Sequence, residues 1–507
     1  MAHTVALQME AVKESRLRRN RFSFELPGVL LFTLLGFLVM GYHPGLEDDG
    51  IYLTAVKADL NPALYPYNAN FFRLQLEATL YDRWMAHFVR WTRMPVAWAE
   101  LFFQLFCLFL ILWAVKQIAN RLFPEETARW GGVALVSAML TLPVAGTALY
   151  LMDQHLHPRS LATAMILLAV SRIMEEKRWQ AAPLLLLAFL MHPLMAAMGI
   201  SFCFFLTMVS LDSVRAYVRA LRGSMAAAVP LGWLFEPADP TWRKALDTRT
   251  YYYLFKWEWY EWLGAIAPLI LFWLLWHMAR KRGEIRLARF ALAVFLYGIF
   301  QQALAMAMLS CPTLVRLTPL QPMRYLHLLY FLMVLAGGCL LGKFLLRRSV
   351  WRWAVFLMIA NGGMLFAQRA EFSATQHLEL PWRAPSNEWL QAFAWVKANT
   401  PVSAYFALDP YYMDAAGEDY HSFRALAERS QLADAVKDTA VVTQIPELGP
   451  VWAKQVEAGA GWNSFELADF ERLKAGFGVD WVLVHYPEPS GLACSWHGRS
   501  LAVCQIP

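Results

Sequence analysis

The chain has 507 residues, 58% of them hydrophobic and only 17% charged, with a formal net charge of +6. A soluble globular protein averages about 45–50% apolar and roughly 25% charged residues. The 33 Phe, 22 Trp and 19 Tyr suit membrane interfaces, and together these values exclude a soluble cytosolic enzyme, a disordered chain and a coiled coil.

They indicate a polytopic α-helical membrane protein, and the charge is split along it. From Gln368 onward 10 Lys/Arg face 17 Asp/Glu, a balance of −7, which leaves +13 in the first 367 residues. The split predicts a basic N-terminus (1–25), a transmembrane part (26–367) and a polar C-terminal α/β domain (368–507). Basic residues scattered between apolar runs belong to the cytoplasmic leaflet, not to a nucleic-acid partner.

A helix needs roughly 20 apolar residues to cross a bilayer. Lys13, Arg16, Arg18, Arg19 and Arg21 precede the apolar run Leu26–Tyr42. No small-residue cleavage site follows, so an uncleaved first span is expected there. Further spans are predicted at Pro95–Val115, Trp130–Tyr150, Ser160–Ile173, Gln180–Leu211, Ser224–Phe235, Trp262–Met278, Phe290–Leu309, Tyr325–Leu341 and Trp353–Ala367.

Gln180–Leu211 sets the parity. As one helix it would reach about 48 Å, and Pro193 disfavours a continuous helix. Division at Met191-His192-Pro193 gives about eleven spans. The loops then expected inside hold 23 Lys/Arg in 78 residues, and the outer loops 12 in 102. That asymmetry follows the positive-inside rule. It places the N-terminus in the cytoplasm and the C-terminal domain outside the cytoplasmic (inner) membrane.

In the tail, helices are expected over Ser386–Ala398 and Phe465–Ala475, the latter capped by Ser464, with strands at Ser403–Leu408 and Trp481–His485. Cys107, Cys203, Cys311 and Cys339 read as small residues in or beside spans. Cys494 and Cys504 flank a strand-turn-strand pattern and could close a loop in an oxidising compartment, or remain thiols.

Three segments carry candidate chemistry. The first outer loop (43–94) contains Glu47-Asp48-Asp49 between Gly45 and Gly50, followed by a predicted amphipathic surface helix over Phe71–Trp91. Adjacent acids repel, and partial burial raises the pKa of at least one. General bases and metal ligands need such groups; a solvated acidic turn is the bland alternative. In the second, an extended Met152–Arg159 would project Asp153, His155 and His157 to one side. With Asp49 they form a candidate ligand set for a divalent metal. In the third, Arg324 opens a span on the outer face, where its fork suits a phosphate. Arg159, His192 and His327 are further candidate phosphate contacts, against the alternative of packing histidines and a headgroup arginine.

A first span leading into an outer loop with paired acids, many later spans and a C-terminal outer α/β domain resembles the GT-C superfamily of integral membrane glycosyltransferases. The segments Trp389–Pro401 and Phe423–Ser430 look like the outer domain of bacterial proteins in that superfamily. The resemblance implies transfer of a sugar from a polyprenyl-phosphate-linked donor to an acceptor on the extracytoplasmic face. It implies that Asp48 or Asp49, beside Glu47, acts as catalytic base or metal ligand, with Asp153 assisting. Arg324 would hold the lipid phosphate, and a divalent ion, Mg or Mn, is the implied cofactor. A WWD-type oligosaccharyltransferase signature is absent. Two other classes fit many spans: a transporter or flippase for lipid-linked sugars, and a non-catalytic assembly subunit. The chain has no internal half-repeat and few mid-membrane charges to favour the first.

Overall fold

The computed structural model describes residues 25–210, 239–414 and 421–507. The basic N-terminal cluster, the expected loop 212–222 and the expected span Ser224–Phe235 lie outside the described residues.

Helix α1 (Glu25–Met40) leads into the first loop. There a 3-10 turn (Glu47–Gly50) precedes α2 (Tyr52–Leu60), α3 (Asn70–Leu76) and α4 (Tyr81–Thr92). The single surface helix expected over Phe71–Trp91 is therefore two. The reason is local: the Leu80 amide donates to Leu190 C=O at 2.9 Å and not to its own helix.

Next come α5 (Val96–Leu122), α6 (Glu126–Ala138), α7 (Pro158–Met174), α8 (Arg178–Met191) and α9 (Pro193–Ser210). The expected break at Pro193 is present, with His192 between two helices. Trp130–Tyr150 is not one span. Helix α6 stops at Ala138, and the short strands β1 (Pro143–Val144) and β2 (Leu149–Tyr150) fold back as a hairpin. Gly146 at its tip takes φ +59°, a left-handed value that costs glycine little.

Beyond α10 (Pro240–Thr248), helices α11 (Trp259–Lys281), α12 (Ile285–Ser310), α13 (Tyr325–Leu341) and α14 (Val350–Glu371) complete the apolar part. Among the described residues, five segments are long and apolar enough to cross a membrane: α5, α11, α12, α14 and the run Thr313–Leu346 that contains α13. Helices α1, α8 and α9 are apolar but shorter. Helix α14 exposes Met358, Ile359 and Phe366, side chains that an apolar solvent covers and water does not. The architecture is that of a membrane protein.

Helices α6 and α13 approach through glycine. A Cβ on Gly131 would sit 2.3 Å from Gly338 C=O, a contact no larger residue allows. Such small-residue contacts hold helices together where lipid removes the hydrophobic drive.

The C-terminal part contains α15 (Glu388–Asn399), β3 (Tyr405–Ala407), α16 (Phe423–Ala427), β4 (Ser430–Gln431), α17 (Lys437–Gln444), α18 (Gly449–Ala458) and α19 (Leu467–Phe477). Strands β5 (Trp481–His485), β6 (Ala493–His497) and β7 (Leu501–Gln505) finish the chain. The sheet order is β4-β3-β5-β7-β6, parallel through β4, β3 and β5 and antiparallel after them. Apolar clusters cover both faces, one built on Phe393, Phe406 and Val503, the other on Phe470, Val482 and Ala502. The helix caps fall one or two residues later than expected. Asn387 caps α15, and a Glu466/Asp469 capping box opens α19. Cys494 and Cys504 form a disulfide between β6 and β7.

Candidate active site

A cavity of about 570 Å³ lies where the first loop, the segment 147–159, the α8–α9 break and the start of α17 meet. Eight of the ten expected site residues line it: Glu47, Asp48, Asp153, His155, His157, Arg159, His192 and Arg324. Asp49 and His327 do not.

The 3-10 turn explains the difference between neighbouring acids. Gly45 takes φ +85°, and its amide donates to Asp49 Oδ2 at 2.7 Å. Asp49 thus closes its own turn from behind the cavity wall. Burial first, and then Glu100, push its carboxyl well above the usual range. Asp48 faces the cavity, with Oδ1 3.4 Å from Lys437 Nζ and Oδ2 3.3 Å from His157 Nε2. Burial alone would raise its pKa; the Lys437 ammonium and the His157 hydrogen bond outweigh this and hold Asp48 well below the usual range. Glu47 reaches the same ammonium at 2.9 Å.

His157 caps α7: its Nδ1 accepts the Arg159 amide at 2.9 Å. The proton of the neutral ring therefore sits on Nε2, which donates to Asp48. Burial and the Arg159 charge lower its pKa, favouring that neutral form. Asp153 Oδ1 accepts from Arg159 at 2.6 Å. Burial opposes its ionisation, but Arg159 and the two histidines bring it down to about 2. His155 has no hydrogen bond at either ring nitrogen, and burial pushes it down to about 4.

The expected metal set Asp49, Asp153, His155 and His157 does not assemble. Asp49 lies outside the cavity lining, Asp153 Oδ1 is paired with Arg159 while its Oδ2 has no hydrogen-bond partner, and ligation at His157 Nε2 would need a proton on Nδ1 facing the Arg159 N–H. The four do not appear among the described groups of three or more ligands with donor atoms within 4.8 Å of one another. His327 is likewise elsewhere, its Nε2 3.0 Å from Leu151 C=O; it secures the segment that carries Asp153.

Arg324 is oriented by relay. Its Nε donates to Gln321 Oε1 at 2.5 Å, and Gln321 Nε2 donates to Tyr252 Oη at 2.7 Å. Among the described residues no side chain accepts from its two terminal nitrogens. His192 Nδ1 accepts the Met195 amide at 3.4 Å, so it also starts a helix, α9.

Two cations on the wall were not singled out in the sequence, Arg249 and Lys437. Arg249 donates to Val436 C=O. Lys437 stands at the start of α17, where Asp434 accepts the Val436 amide at 2.9 Å and the Lys437 amide at 2.5 Å. Asp438 on the same helix makes a buried two-bond pair with Arg424 at 2.9 and 2.7 Å. This network fixes Lys437 over the acidic loop.

The cavity thus sets an ionised carboxylate among Arg159, Arg249, Arg324 and Lys437, a donor set for an anion with a hydroxyl partner. No protein-family model matches the chain, and no curated protein matches it. Fold and site define a multi-pass membrane protein with a charged, partly enclosed cavity.

Proposed function

We propose that the protein is a GT-C-type glycosyltransferase that moves a sugar from a polyprenyl-phosphate-linked donor to an acceptor hydroxyl on the extracytoplasmic face. The observation that carries the reading is one cavity wall bearing Asp48 together with Arg159, Arg324 and Lys437. In this account the N-terminus is cytoplasmic, and the loops carrying Asp48, Asp153 and Arg324 lie outside.

Transfer needs three things from the protein. Arg324, with its fork free on the cavity side and its stem fixed by Gln321, holds the donor phosphate. As the bond from the anomeric carbon to the phosphate oxygen breaks, that oxygen gains charge, which Arg324, Arg159 and Lys437 stabilise. The acceptor oxygen attacks the anomeric carbon from the opposite side, and its proton passes to Asp48. Polyprenyl phosphate leaves, and the anomeric centre is inverted. A resting Asp48 paired to Lys437 is a weak base. An incoming phosphate competes for Lys437 and so restores basicity where the acceptor binds.

The test is binding by the purified protein. Polyprenyl phosphate in detergent should bind and uncharged polyprenol should not, with affinity lost in Arg324→Gln. Equal binding of the two lipids would remove the phosphate site and the reading with it. Uptake of the lipid-linked sugar into vesicles, without transfer, would favour a flippase.

A further inference from the structure

Away from the cavity lining, two imidazoles converge on one carboxylate. His43 Nδ1 lies 3.2 Å from Glu379 Oε1, and His421 Nε2 lies 2.8 Å from Glu379 Oε2. The three ligand atoms are all within 4.8 Å of one another. Both histidine side chains are buried, at 0% and 1% exposure, while Glu379 retains 11%. The residues come from three distant parts of the chain: the loop after α1, the segment after α14 and the residue before the α16 cap.

Backbone bonds place them before any ligand arrives. The Tyr42 amide donates to His377 C=O at 3.0 Å, and the Glu379 amide donates to Tyr42 C=O at 2.9 Å. The Ser422 amide donates to Gly45 C=O at 2.8 Å, beside a bridge between Leu46 and His421. Each ligand therefore sits next to a bridge that joins the first loop to the tail. Thr375 Oγ1 donates to Glu379 Oε1, which orients the carboxylate.

We propose that His43, Glu379 and His421 bind one zinc-type divalent ion. Bonds of about 2.0–2.2 Å in tetrahedral arrangement put ligand atoms about 3.4 Å apart, close to the 3.2 and 2.8 Å between each imidazole nitrogen and Glu379. Two imidazoles and a carboxylate favour zinc, cobalt or nickel over magnesium, which prefers oxygen alone. Each imidazole ligates in its neutral form, with its one N–H proton on the ring nitrogen that faces away from the ion.

The ion would tie the first loop to the tail. The His43 ring packs on Phe372 at 4.5 Å between centroids, and Phe372 lines the cavity. The tie thus braces the cavity from behind without touching Asp48 or Arg324. A second cluster, Glu488, Cys494 and His497, offers no thiolate because Cys494 is disulfide-bonded.

The experiment uses the full chain, purified in detergent with a histidine-free tag and stripped with chelator. Zinc is added, excess is removed by gel filtration, and bound metal is measured by mass spectrometry. One zinc per chain is expected for the wild type, and its loss is expected in His43→Gln, Glu379→Gln and His421→Gln. Glu379→Gln keeps the shape of the side chain and one acceptor oxygen while removing the charge, so it reports on ligation where a histidine variant misfolds. Zinc should also raise the melting temperature of the wild type and not of Glu379→Gln, and magnesium should raise neither. A wild type that retains no zinc, or variants that all retain as much as the wild type, would overturn the proposal. Lipid-phosphate binding is measured separately and depends on other residues, so either reading can fail alone.

Discussion

Lys437 Nζ stands 2.9 Å from Glu47 Oε2 across a separation of 390 residues, and the same ammonium lies 3.4 Å from Asp48. Glu47 is half exposed, and an exposed pair of this kind contributes about 0–1 kcal/mol. Its consequence is therefore electrostatic and not structural. The lysine holds the cavity carboxylate ionised, so Lys437→Met should raise the Asp48 pKa. The acid limb of the transfer pH profile should then move to higher pH, while Lys437→Arg leaves it in place. An unmoved acid limb in Lys437→Met would separate Lys437 from Asp48.

The two adjacent aspartates should behave differently. Asp48→Asn removes the charge facing the cavity and should lower transfer while folding survives. Asp49→Asn keeps an oxygen for the Gly45 amide and should leave transfer within a few-fold of wild type. Asp49→Ala leaves that amide without its acceptor and should cost about 1–3 kcal/mol in stability, read as a fall in melting temperature. Equal loss of transfer in both Asn variants, with unchanged melting, would return Asp49 to the chemistry.

His155 gives stability a pH dependence. Its folded pKa, about 4, lies below the ordinary value of 6.5, so the folded state resists protonation. Its contribution is complete above about pH 6.5 and is lost as pH falls from there towards 4. Thermal unfolding should weaken across that window, and His155→Gln should flatten the part due to this residue. An identical slope in the variant would contradict the assignment.

Arg324 tests geometry apart from charge. Arg324→Lys keeps the charge and loses both the fork and the Gln321 anchor, so donor KM should rise with little change in melting temperature. Gln321→Leu should reproduce a weaker version of the same effect. A KM unchanged in both would place the donor phosphate elsewhere.

Composition and hydropathy carry the membrane class, and Pro193 carries the break between α8 and α9, because both are local properties. The disulfide-joined hairpin at the C-terminus is equally local, built on two cysteines flanking a turn. Span lengths are less legible. The fold-back at Pro143–Tyr150 is a short hairpin inside an apolar run, and the split at Leu80 depends on a backbone bond to distant Leu190; hydropathy encodes neither. The same holds for the site. Eight of ten residues gather because loop ends meet at one cavity, but Asp48 and Asp49 look equivalent in the sequence and differ through the partners the fold brings to each, Lys437 and His157 for one and the Gly45 amide for the other. Lys437 gave no signal, since its role comes from the placement of α17 by Asp434 and the Arg424–Asp438 pair. His43, Glu379 and His421 are too far apart in the chain for any spacing rule.

The most direct measurement is sugar transfer by the purified protein from a polyprenyl-phosphate-linked donor, comparing wild type with Asp48→Asn. Loss of a positioned general base lowers rate by about 10²–10⁴-fold, and the account predicts a fall in that range with the fold intact. Full activity in Asp48→Asn would contradict it.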